Sequence, residues 1–173
     1  MGVFDESKCD CCVCPMQCVL EQLVNREVGI ITPTFQDVGT LNQVKDFIAF
    51  TDFGQFPISQ ISIAIIFDTI NPINLIKSNK KNKGECACCE DPITNLAKSM
   101  IGETVDIDFI GDNFEDTRII DVGEGIIVSI FNGEIYFFSS CKVTLISPSN
   151  QQQINESPRI SNFQQLKKSP LVT

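Results

Sequence analysis

Nine cysteines and no histidine set the chemistry open to this chain of 173 residues. Without an imidazole there is no Ser-His or Cys-His nucleophile pair, no histidine general base and no mixed Cys/His zinc site. The thiols gather in two clusters. Cys9, Cys11, Cys12, Cys14 and Cys18 form the first, Cys86, Cys88 and Cys89 the second, and Cys141 stands apart. Thiols this dense in a reducing cytosol usually mean metal or redox chemistry, and a protein made inside a cell but working outside it is a third setting.

Three readings of the cysteines compete. The first is cross-linking. Adjacent cysteines such as Cys11-Cys12 and Cys88-Cys89 rarely bond to each other, because the short ring is strained, and so each suits a different partner. Cys9, Cys11, Cys12, Cys14, Cys86, Cys88 and Cys89 are therefore expected in disulfides, some of them between subunits. The second reading is metal: Cys9-x2-Cys12 and Cys86-x2-Cys89 would give two thiolate pairs to one tetrahedral zinc, leaving Cys11, Cys14, Cys18 and Cys88 without a role. The third is burial. Cys18, among apolar helix positions, and Cys141, where Ile61 stands in the first half, read as small buried residues or residues with a local role. The expectation is disulfides and no cofactor, with zinc as the alternative.

Other chemistry is thin. Asp106, Asp108, Asp112, Glu115 and Asp116 fall on short strands and turns, where carboxylates are usually solvated. Gly123-Glu-Gly125 lacks the further glycines and the following helix of a phosphate cradle. The chain is not expected to be an enzyme.

The elements that position the cysteines come twice. Shifted by 77 residues, Cys9, Cys11, Cys12, Pro15 and Val28 fall on Cys86, Cys88, Cys89, Pro92 and Val105. The offset becomes 78 at Val44 and Val122, then 80 at Ile58-Ser59 and Phe138-Ser139, changing only at polar or glycine-containing turns. Each copy begins with a helix opened by proline: Pro15 to about Asn25, with Met16, Val19, Leu20 and Leu23 as its stripe, and Pro92 to about Gly102. Asn25 and Gly102 both tolerate the left-handed geometry of a helix end. Strands are predicted near 26–32, 39–44, 47–52, 55–58 and 60–66, and again near 103–110, 117–122, 125–131, 134–139 and 141–146. Asn132-Gly133 between apolar runs marks a hairpin. Residues 61–66 hardly alternate, which predicts a strand covered on both faces.

The domain reading is a cysteine-rich arm at 1–14, a first module at 15–66, a linker at 67–85, a second module at 86–146 and a polar tail at 147–173. Lys77, Lys80, Lys81 and Lys83 in the linker read as a solvated connector. The net charge of −9 argues against a nucleic-acid backbone or an anionic membrane as partner. No apolar run is long enough to span a bilayer, and the first residues lack the basic start and apolar core of a signal peptide, so cytoplasmic synthesis is expected.

A helix followed by five short antiparallel strands resembles the small Sm-like (SH3-like) barrel. Leu96-Ala-Lys-Ser-Met-Ile-Gly102, Arg118-Ile-Ile-Asp-Val-Gly-Glu-Gly-Ile-Ile-Val128 and Phe137-Phe-Ser-Ser-Cys-Lys-Val-Thr-Leu-Ile146 carry the likeness in the second copy. The resemblance implies a mainly β fold of two tandem barrels, and edge-to-edge joining of the kind by which Sm-like proteins form rings. The basic Arg-Gly turn of RNA-binding members is replaced by Ser139-Ser140 and Ser59-Gln60, so RNA binding ranks behind the other readings. The barrels with a Cys-Cys-rich start also resemble small spore-coat and exosporium proteins of bacilli, which are assembled in a mother cell and exposed by its lysis.

The resulting expectation is a self-assembling structural protein, ring or fibre, whose partner is itself and whose lock is disulfide bonds. A spore surface is the expected location, with other spore-surface proteins as further candidate partners. The alternatives are a cytosolic zinc-binding adaptor and an Sm-like RNA-binding protein.

Overall fold

The computed structural model describes residues 12–67, 73–75, 90–110 and 112–149. The fold is mainly β. Helix α1 (Val13–Glu21) leads into β1 (Glu27–Ile31), β2 (Gln36–Lys45), β3 (Ile48–Thr51), β4 (Gln55–Pro57), a 3-10 turn (Ile58–Gln60) and β5 (Ile63–Ile66). Helix α2 (Asp91–Ser99) leads into β6 (Thr104–Phe109), β7 (Asp112–Val122), β8 (Ile126–Phe131), β9 (Glu134–Ser139), a second 3-10 turn (Ser140–Lys142) and β10 (Val143–Pro148). Among the described residues no helix is long and apolar enough to cross a membrane.

Local sequence accounts for most of these elements. Asn25 and Gly102 adopt the positive φ their places after the helices require. Their N–H groups donate to Leu41 O and Ile119 O, which closes each helix end onto the second strand of its half. Asn132 and Gly133, both at positive φ, turn β8 into β9.

The strands form one antiparallel sheet in the order β10-β6-β7-β8-β9-β5-β1-β2-β3-β4, rather than two separate closed barrels. The sheet is open, with β4 and β10 at its ends. Both halves interrupt the ladder at a matching place, between Leu41 and Gln43 and between Ile119 and Asp121. At Gly39, in β2, an added Cβ would strike Asp52 Oδ1 and come within 2.5 Å of the Phe53 ring, so the strand leaves no room there for a side chain.

The join between the halves is the β5–β9 ladder, with Ile63 opposite Phe138, Ala64 opposite Phe137 and Ile65 opposite Tyr136. All four residues of β5 are buried, in agreement with the weak alternation of its sequence. Its two faces serve different cores. Ile63 and Ile65 pack with Phe114, Tyr136 and Phe138 in the core of the second half. Ala64 and Ile66 pack with Leu20, Leu23 and Phe137 in the core of the first. Tyr136 is 2% exposed and donates its hydroxyl to Glu134 Oε2 at 2.7 Å.

The end of each half departs from the sequence expectation. Residues 58–60 and 140–142 are 3-10 turns, and the last strands begin only at Ile63 and Val143. Ile58 N–H donates to Phe47 O and Ser140 N–H to Gly125 O, so matching positions lie 82 apart there and not 80. Counting the Thr51–Gly54 pair that closes the shorter one, the β8–β9 hairpin is longer than the β3–β4 hairpin by two residues on each arm. A shift of two leaves a strand's inward and outward positions unchanged, which is why the apolar pattern concealed it.

Because both cores share β5, the halves are expected to unfold together. Ile65→Ala should cost about 2–5 kcal/mol and lower a single cooperative denaturation midpoint. Two separate transitions, only one of them shifted, would contradict the shared core.

Candidate functional site

Two of the described cysteines, Cys12 and Cys141, come together where the start of α1 meets the second half. Cys12 is the residue before α1 and is 7% exposed. Cys141 is the half-buried middle residue of the second 3-10 turn. They form a disulfide across 129 residues of chain, with Cα atoms 6.0 Å apart. In the chain-entropy picture a loop of that size is worth about 4–5 kcal/mol against the unfolded chain.

Glu90 stands beside this bond. It precedes α2 and is only 1% exposed. Cys12 Sγ lies 3.7 Å from Glu90 Oε2, and Cys141 N–H points at Cys12 Sγ at 3.1 Å. The two sulfurs and a carboxylate oxygen lie within 4.8 Å of one another. Glu90 Oε1 has no hydrogen-bond partner. Gly125, in the turn between β7 and β8 at φ +63°, fits closely: a Cβ there would sit 3.1 Å from the Glu90 carboxyl and from the Pro15 ring. Thr94 Oγ1 donates to Ser140 Oγ at 3.0 Å, tying α2 to the turn that carries Cys141.

Burial pushes the Glu90 carboxyl up to about 7, helped by the nearby charges of Glu124 and Asp91 and opposed by Lys98 and the Gly125 N–H. Cys18 is a free, half-buried thiol, and burial followed by the charge of Glu21 raises its pKa, which makes it a poor nucleophile.

The sequence reading placed Cys12 among the cross-linking residues and Cys141 among buried or locally used ones; the fold joins the two. Neither Cys141 nor Ile61 lies on a strand, since β5 begins only at Ile63. Cys141 sits in a 3-10 turn, where the matching residue of the first half is Ser59. Cys14 is also disulfide-bonded. Cys9, Cys11, Cys86, Cys88 and Cys89 lie outside the described residues, as do Lys77, Lys80, Lys81 and Lys83. The four-thiolate zinc set would need Cys12, which in the oxidised protein is bonded to Cys141. Asp106 and Asp116 are used locally: Asp106 Oδ1 accepts from the Asp116 N–H, and the Ser149 hydroxyl reaches both carboxylates.

Glu90 was missed. Read as a first-turn acid beside Asp91 and Pro92, it resembles a solvated helix start. One signal was present: 77 residues earlier the chain has Val13, an apolar residue. No family model, curated protein or solved structure gives a significant match to the chain.

The raised Glu90 carboxyl gives a pH dependence of known sign. The folded state holds this proton above the pH at which the unfolded chain releases it, so its contribution is complete below about 4.5 and is lost as pH rises through about 7. Denaturant midpoints of the oxidised protein should therefore fall between those values, by on the order of 1–2 kcal/mol once solvent screening is allowed for. Glu90→Gln should remove that slope. An equal slope in the variant would assign it to other groups.

Proposed function

We propose that this protein is a self-assembling structural protein: a tandem pair of Sm-like modules that adds further copies head to tail through its end strands and is locked by disulfides. One observation carries the reading. The internal junction pairs the fifth strand of the first half, β5, with the fourth strand of the second, β9. The two strands at the open ends of the sheet are the fourth strand of the first half, β4, and the fifth of the second, β10. A neighbouring copy can therefore repeat between molecules the join already made within one. Such head-to-tail contacts close into a ring or grow into a fibre according to the rotation per copy.

The matched order within each half, β5-β1-β2-β3-β4 and β10-β6-β7-β8-β9, supports the tandem origin. So do the shared ladder irregularities and the equivalent bonds from Asn25 and Gly102. Transferring the β5–β9 register sets Leu145 opposite Phe56 and Ile146 opposite Gln55. Leu145 is 51% exposed on β10. Phe56 packs with Phe53 and the 44% exposed Phe35, their ring centres 5.4–5.6 Å from its own, so an apolar surface stands ready at each end.

Both ends also carry a restraint. Ile58 N–H bonds inward to Phe47 O and Ser149 N–H inward to Thr104 O, which leaves Pro57 and Pro148 facing the open sides. Neither can donate a ladder hydrogen bond, and proline is a common guard of sheet edges. At the internal junction the residue matching Pro57 is Ser139, whose N–H donates to Ser62 O. Pairing between copies is thus weaker than pairing within one, and covalent cross-links from the remaining clustered cysteines would make it permanent. An oxidising surface such as a spore coat suits such a lock. The position of the RNA-contacting turn in the resemblance, Ser139-Ser140, is buried, which does not favour the RNA reading.

Under oxidising conditions, light scattering and negative-stain microscopy should find assemblies that withstand detergent until reductant is added. Leu145→Lys should shift the protein to its smallest species, with the fold unchanged by circular dichroism. A wild-type protein that stays monomeric when oxidised and concentrated would sink the reading.

A further inference from the structure

The self-assembly reading needs Cys12–Cys141 only as a brace between the halves and has no use for Glu90. A carboxyl buried to 1% exposure, with one oxygen unpartnered and the other 3.7 Å from a sulfur, is expensive to keep as a brace. We propose that Cys141, Cys12 and Glu90 form a thiol–disulfide exchange centre, in which an incoming thiol attacks Cys141 and Glu90 carries the proton to and from Cys12.

The geometry assigns each role. Cys141 is the more open sulfur-bearing residue, so an incoming thiolate reaches it first. Cys12 is the better leaving group, because the Cys141 N–H already points at its Sγ from 3.1 Å and would stabilise negative charge there. The thiolate of a low-molecular-weight or protein thiol forms a bond to Cys141 Sγ. The Cys12–Cys141 bond breaks with its electron pair going to Cys12, and the neutral Glu90 carboxyl gives its proton to that sulfur. A second thiolate attacks the outer sulfur of the mixed disulfide and releases Cys141, which takes a proton from water. The protein ends as a dithiol, the two reductant thiols end as their disulfide, and Glu90 regains its proton from solvent. In the reverse direction the Glu90 carboxylate removes the proton from the Cys12 thiol.

The charges around Glu90 are placed to keep it poised between its two forms. Glu124 approaches from the β7–β8 turn and Asp91 from α2, both favouring the neutral acid; Lys98 of α2 and the Gly125 N–H favour the anion. α1 brings Cys12 and the uncharged Pro15, and the 3-10 turn brings Cys141. The centre requires no second copy of the chain, so it stands or falls apart from assembly.

The test uses the oxidised full-length protein and reduced glutathione. Acid quenching, alkylation and peptide mass mapping follow the Cys12–Cys141 bond separately from the other cysteines. Divided by the thiolate fraction of glutathione, the wild-type rate should fall as pH rises through about 7, and the trapped mixed disulfide should sit on Cys141. Glu90→Gln should slow the reaction about 10²-fold below that pH and match wild type well above it, and Glu90→Asp should restore part of the loss. A wild-type profile flat in pH, or glutathione trapped on Cys12, overturns the proposal, and neither readout depends on a variant folding.

Discussion

The ladder between β5 and β9 is the constraint on which the structure depends. Each half on its own is a module of roughly 60 residues, a size at which the buried fraction of the chain barely offsets its lost entropy. Here neither half closes a core alone. Ile63 and Ile65 leave the first half to fill the core of the second, while Phe137, Ile126 and Val128 of the second fill the core of the first. A strand buried on both faces has its register strongly specified, since any slip by one residue would exchange two cores at once. That exchange of side chains makes one folded unit of the two halves.

The same boundary gathers the chemistry. Cys12 belongs to the start of the first helix and Cys141 to the turn after β9, so their bond spans the halves as the ladder does. Gly125 brings its turn close enough for its N–H to reach the Glu90 carboxyl, and a side chain there would push that carboxyl away. The buried acid lowers stability at neutral pH, and it lies against the one described disulfide whose two partners are both described. Stability alone would favour an apolar residue at so buried a position. The buried carboxyl is the feature of this protein that packing does not explain.

The open ends follow from the same arithmetic of strands. A sheet in which each half pairs its fifth strand with its neighbour's fourth always leaves one of each unpaired. Pro57 and Pro148 blunt those edges without covering the apolar side chains beside them, Phe56 and Leu145. Such an edge resists indiscriminate strand addition.

Much of this architecture was legible without coordinates. The two helices with Asn25 and Gly102 behind them, the Asn132-Gly133 hairpin and the fully buried last strand of the first half are local patterns, and local backbone preference with apolar periodicity encodes them directly. The two-residue extension on the second arm of the β8–β9 hairpin was not legible, because strand periodicity is blind to shifts of two. The pairing of Cys12 with Cys141 and the burial of Glu90 were equally beyond reach, since spacing cannot say which of nine thiols meet or which acid a distant turn will cover. Residue pattern settles the strand-rich class, the matching order of elements in the two halves and the places where turns must fall. Only the folded sheet interlocks the two halves across β5 and β9 and brings a disulfide and a buried acid together at that seam. Local preference is settled within a few residues, whereas contacts between residues 129 positions apart exist only once the whole sheet has formed.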